Sequence, residues 1–188
     1  VVAGWKKVVP APQAAEDVEE PVLRKGPITI TRGRPGDSDA IAALINQVEN
    51  RRIPLTVNDI MEGFSEKAYL LLHMDGSLKA LAGWQVENLV SRTTELVIDV
   101  SLATDKIVPM LVHEIERTSK VLQCEISLIF TPPRLGRQEA LWQNLGYIQM
   151  LPEALSVRAW KDAARESIPP GTMMLFKKLR EDRVLRPI

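Results

Sequence analysis

Leu141-Trp142-Gln143-Asn144-Leu145-Gly146-Tyr147 ends a helix. Leu141, Trp142 and Leu145 share one face at helical spacing, and Gly146 stands just past the last turn, where a left-handed conformation costs glycine nothing. The pattern carries that helix back to Arg137. Downstream, 155–166 reads as a further amphipathic helix, and Pro169-Pro170-Gly171 turns the chain into a last strand over 172–179. Upstream, Thr131-Pro132-Pro133 parts the helix from a buried, branched strand over 125–130.

Further out, a helix runs from a cap at Thr104 or Asp105 to Leu122, with Ile107, Met110, Leu111, Ile115 and Thr118 on one side. Pro109 lies close enough to its first turn to be tolerated. Before it come strands over 69–74 and 79–87, joined by Asp75-Gly76, then a second hairpin turn through 90–92 and a strand over 93–102. The regular pattern begins with a short strand over 28–32, a turn whose Asp37 caps a helix over 38–50, and a shorter helix started by Thr56 or Asn58. The predicted order is β-α-α-β-β-β-α-β-α-(α)-β, with no internal repeat.

At 188 residues and 45% hydrophobic, the chain is long enough to bury one substantial core. Its 24 basic and 24 acidic side chains cancel, which argues against extended nucleic-acid binding. One cysteine and two histidines exclude a disulfide framework and a thiolate-rich metal site, so a reducing, cytoplasmic setting is expected. No apolar run approaches the roughly 20 residues that a membrane span needs. Residues 1–27, rich in Pro, Ala and Glu, read as an arm or linker rather than a secretory signal, since Lys6 and Lys7 interrupt the apolar stretch. The folded domain spans 28–179, and 180–188 is a charged tail. Charge is uneven along the chain: 55–130 carries six basic and eleven acidic side chains, 131–188 ten and six.

The order of elements, with a hairpin-rich sheet ahead of the main helix, resembles the GNAT superfamily of N-acetyltransferases. Residues 141–147 are similar to that family's helix-ending pattern, 170–179 to its closing strand, and Ile30-Thr31-Arg32 followed by 36–41 to its first strand and helix. The resemblance covers about 28–179. It implies an α/β (α+β) fold: a mixed, splayed central sheet with helices on both faces, a pantetheine arm held along the strand before the main helix, and a pyrophosphate at that helix's N-terminus. Carried onto this chain, the cofactor-binding residues are Val100, Leu102, Thr104, Lys106 and Ile107.

Three departures from the family pattern stand out. The loop 101–109 contains no glycine, and Asp105 puts a negative charge where a pyrophosphate is expected. The family's aromatic acid, usually Tyr, is replaced by Trp142, whose indole cannot return a proton to a thiolate; it reads as a packing residue. A family Asn position falls on Leu135. A general base has to come from Glu87, Glu95 or Asp99, of which Glu95 and Asp99 are the candidates carried forward. His113-Glu114 has Arg117 where a zinc-protease motif needs its second histidine, so no metal is expected. Cys124 reads as a small core residue, and Arg134 and Arg137 as candidates to meet an anion at a helix start.

The expected function is therefore a GNAT-like domain whose acetyl-CoA site is lost or altered, with a structural or protein-interaction role in a larger assembly and no cofactor. Its partners would meet residues 1–27 and the basic C-terminal third. The alternative is an active N-acyltransferase with a non-standard pyrophosphate loop, using acetyl-CoA or another acyl-CoA.

Overall fold

A computed structural model describes residues 27–181 of the chain. Nearly all of the expected arm and most of the tail, with the partner contacts assigned to them, lie outside the described residues. The elements are β1 (Ile28–Arg32), α1 (Ser38–Glu49), α2 (Val57–Gly63), β2 (Ala68–Met74), β3 (Ser77–Glu87), β4 (Val90–Ile98), α3 (Thr104–Val121), β5 (Ile126–Thr131), α4 (Pro133–Gly136), α5 (Glu139–Asn144), β6 (Ile148–Gln149), α6 (Arg158–Ser167) and β7 (Met173–Lys178). The seven strands form one sheet in the order β1-β2-β3-β4-β5-β7-β6. Its single parallel pair is β4 with β5.

Helices cover both faces, as strand alternation requires. Leu70, Leu72, Ala82, Leu96 and Ile98 pack under α3 and α5, around Leu111, Ile115 and Trp142. The alternate residues Tyr69, Leu71, Leu81 and Val97 face α1 and α2 through Ile41, Ile45 and Ile60. On that same face, Ile126, Leu128, Phe130 and Met174 are covered by Trp160 and Ala164 of α6. No helix among the described residues is long and apolar enough to cross a membrane.

Several boundaries differ from the sequence-based expectation. The turn of the second hairpin is Asn88-Leu89, both left-handed at φ 50 and 63, so residues 90–92 belong to β4. β4 ends at Ile98 instead of reaching 102, because the Asp99 carboxylate folds back onto the amide and hydroxyl of Ser101 at 3.0 and 2.7 Å. α3 is capped by Ala103, with no side-chain cap from Thr104 or Asp105. The Asp37 side chain does not cap α1, since it accepts the Arg34 amide at 2.7 Å and closes a short 3-10 turn. The helix expected over 137–144 is α5, starting at Glu139, while the separate short α4 before it and the edge strand β6 are not in the expected order. Gly146 does end α5 in the left-handed region, at φ 78.

Candidate functional site

The site opens where β4 leaves β5. The two strands pair only over 90–93 and 126–129. At that point the register of β4 on β3 slips: Gly83 faces Glu95 and Trp84 faces Thr93, which leaves Thr94 as an extra, unpaired residue. Such a bulge bends its strand. Beyond it β4 stays with β3, while β5 stays with β7 through Thr131. The Asp99 amide donates to the Lys79 carbonyl at 2.9 Å, on the β3 side. Alternation therefore turns the N–H and C=O of Leu96 and Ile98 toward the gap, where no strand pairs with them.

The gap holds a cavity of about 430 Å³, with Leu96 and Ile98 on one wall, Pro132 and Leu135 on the other, and Thr104 and Gln138 across its end. Met110, Trp84 and Trp142, the large side chains capable of plugging it, do not line it. Trp142 is 2% exposed and donates its indole N–H to the Leu135 carbonyl at 2.9 Å, a packing role.

Of the five cofactor-side candidates, only Thr104 lines this cavity, and its hydroxyl donates to Gln138 Oε1 at 3.0 Å. Val100 is 65% exposed on the loop, Leu102 rests against the core, Ile107 is buried within it, and Lys106 is exposed away from the cavity. Asp105 lines a different groove, beside Pro109 and His113.

An adjoining cavity of about 460 Å³ lies on the α1/α2 face, between the apolar clusters under α1 and α6. Glu95 and Lys67 line it and form an ion pair at 2.8 Å. Glu49 and Arg51 pair at its rim, and the loop 169–172 closes one side. Gly83 makes the Glu95 position possible: a Cβ there would lie 2.9 Å from Glu95 Oε2 and 3.2 Å from Lys67 Cδ. That Oε2 is buried and has no hydrogen-bond partner. Burial, together with the Glu95 charge, holds the neighbouring Tyr69 hydroxyl well above its usual pKa.

The two candidate bases are not brought together. Asp99 lies past the end of β4, paired with Lys79 Nζ at 2.9 Å, and the hydrogen bonds from Ser101 followed by that from Lys79 lower its pKa to about 2. Glu87 is bound to Arg92 at the far end of the β3/β4 hairpin. Glu95 alone of the three lines a cavity. Lys67, the Thr94 bulge and Gln138 were missed; a glycine inside a strand pattern, Gly83 beside Trp84, was the available signal of a close approach.

Neither the known protein families nor the curated proteins contain a match to this sequence. Solved structures do. A GNAT-family acetyltransferase from Staphylococcus aureus Mu50 superposes with a TM-score of 0.63 at 15% identity, covering 82% of this chain and 100% of that one. The fold is that of the GNAT N-acetyltransferases. The same GNAT fold relates the chain to N-acetylglutamate synthase from Neisseria gonorrhoeae, complexed with coenzyme A and N-acetyl-glutamate (TM-score 0.61, 16% identity, 82% of this chain and 35% of that one). It also relates it to the PaiA N-acetyltransferase from Thermoplasma acidophilum in complex with coenzyme A (TM-score 0.59, 9% identity, 81% of this chain and 99% of that one).

These complexes overturn the expectation that no cofactor goes with this domain. Asp105 lines a neighbouring groove, and the open edge of β4 is main chain, which the lack of loop glycines does not close.

Proposed function

We propose that the chain is an acyl-CoA-dependent N-acyltransferase with an altered, glycine-free pyrophosphate loop. The observation that carries this reading is the open main-chain edge of β4 at Leu96 and Ile98, facing an unplugged cavity that ends at the first residue of α3. The pantetheine arm would lie along that edge, with its phosphates toward the α3 N-terminus. Acyl-CoA supplies the acyl group as a thioester, whose C–S bond is exchanged for an amide bond to the acceptor.

The acceptor amine belongs in the adjoining cavity. Glu95, whose side chain lines that cavity, holds its ammonium and takes a proton from it. Lys67 holds the Glu95 carboxylate in place through Oε1. The main-chain N–H groups of Leu96 and Ile98 sit where donors can meet charge developing on a carbonyl oxygen. Trp142 takes no part, its N–H being committed to Leu135. A reducing compartment such as the cytoplasm suits the single thiol, Cys124, which is buried.

Calorimetry with acetyl-CoA, followed by a thiol-release assay over a panel of amines, tests the reading. Micromolar binding and amine-dependent thiol release are expected. Absence of both at millimolar acetyl-CoA would overturn it.

A further inference from the structure

We infer that Arg134, on the β5–α4 side of the cleft, is the cation that binds the diphosphate of acyl-CoA in this chain. This rests on the acyl-CoA reading above. The resemblance placed that role in the β4–α3 loop, but the loop's one basic residue, Lys106, stands outside the cavity. Arg134 is the single cation on the cavity wall among the described residues. Its only acidic neighbour on that wall, Glu49, is taken by Arg51.

The guanidinium of Arg134 is exposed and makes no hydrogen bond or ion pair among the described residues. It therefore carries a positive charge that no partner takes up, at a cleft whose remaining lining is mostly apolar. Beside it, Gln138 accepts the Thr104 hydroxyl through Oε1, which leaves its amide N–H groups free to donate. A planar guanidinium with five donors suits two adjacent phosphates better than an ammonium does. Leu135, next along the chain, is buried and bonded through its carbonyl to Trp142, so the short α4 that carries Arg134 is fixed to the core. The loss of glycines on one wall is thus offset by an arginine on the other.

The test is calorimetry on the full chain with coenzyme A, dephospho-coenzyme A and phosphate-free pantetheine, for wild type, Arg134→Ala, Arg134→Lys and Lys106→Ala. Arg134→Ala should weaken coenzyme A and dephospho-coenzyme A alike, by about ten- to a hundredfold, the range of a charge-assisted contact. It should flatten the salt dependence of binding and leave pantetheine unchanged. Arg134→Lys should recover part of the loss, and Lys106→Ala should stay within about twofold, the size of a weak surface-charge effect. Thermal midpoints should not move, because Arg134 holds nothing in the fold. If wild type binds coenzyme A and Arg134→Ala binds it equally well, or pantetheine weakens in step, this assignment fails while the acyl-CoA reading stands. If wild type binds none of the three, both fail.

Discussion

Glu95 and Asp99 are alike in the sequence: acids four residues apart on one stretch of alternating pattern. Their surroundings separate them. Glu95 sits over Gly83 with one oxygen on Lys67 and one unpartnered, inside a cavity. Asp99 is spent on Ser101 and Lys79. The legible clue was Asp99-Val100-Ser101, an acid two residues ahead of a serine, the spacing of a turn closed by its own side chain. No local signal distinguishes Glu95, because Lys67, 28 residues away in the chain, reaches it from the residue just before β2. Glu95→Gln should lower kcat by about a hundredfold or more, the usual weight of a general base, and leave coenzyme A affinity near wild type. A kcat within threefold of wild type would remove Glu95 from the chemistry. Asp99 makes the opposite kind of prediction. Its folded pKa of about 2 lies below the usual carboxylate value, so its bonds stabilise the fold above pH ~4. That stability is lost as pH falls toward 2, since the unfolded carboxylate takes up a proton first. Asp99→Asn should lower the melting temperature at neutral pH and lose less of it between pH 5 and 2.5 than wild type does.

At the scale of elements, the strands and helices with strong periodicity were legible, and their junctions were not. Asp75-Gly76 marked its hairpin because glycine and aspartate tolerate the turn conformation, and both are left-handed at φ 52 and 76. Asn88-Leu89 makes the same kind of turn with a leucine in the strained position, so composition hid it. Leu89→Gly should therefore stabilise the hairpin by about 1 kcal/mol, less whatever its half-buried side chain contributes. For a domain of this size that is a rise of about 2–4 °C by calorimetry, and a fall would show that packing outweighs the backbone cost. The bulge at Thr94 was illegible for a different reason. It is defined by two strands at once, and Thr93-Thr94 reads in isolation as an ordinary pair of strand residues. The β4–β5 ladder ends next to that one unpaired position.

In the whole molecule, the sheet is two unequal parts joined by a four-residue parallel ladder, so something must hold them at a fixed angle. Lys177 of β7 does much of this. Its ammonium meets both oxygens of the buried Glu116 on α3 at 2.7 and 2.9 Å, and the Leu145 carbonyl at 2.7 Å. Ser119 and Ser91 bind at 2.8 Å on the same face. Lys177→Met leaves the buried Glu116 with only the more distant Lys120 ammonium, at 3.9 Å, and should cost up to about 3 kcal/mol in urea unfolding. The pair Glu116→Met/Lys177→Met should recover most of that. If the single substitution is neutral, the two parts of the sheet are held by apolar packing alone. The overall architecture was legible through the family resemblance carried by the order of elements and by the stretches 30–41, 141–147 and 170–179. The tie between Lys177 and Glu116 was not, since it joins residues far apart in the chain. The free edge of β4 also divides labour between the walls of the cleft. The side chains of Leu96 and Ile98 pack in the core beneath α3, and their peptide groups face the gap. Mutational drift at those positions is answerable to packing and leaves the grip of that wall unaltered. On the acyl-CoA reading, preference among acyl chains is then expected from the opposite wall, where Pro132 and Leu135 line the cavity.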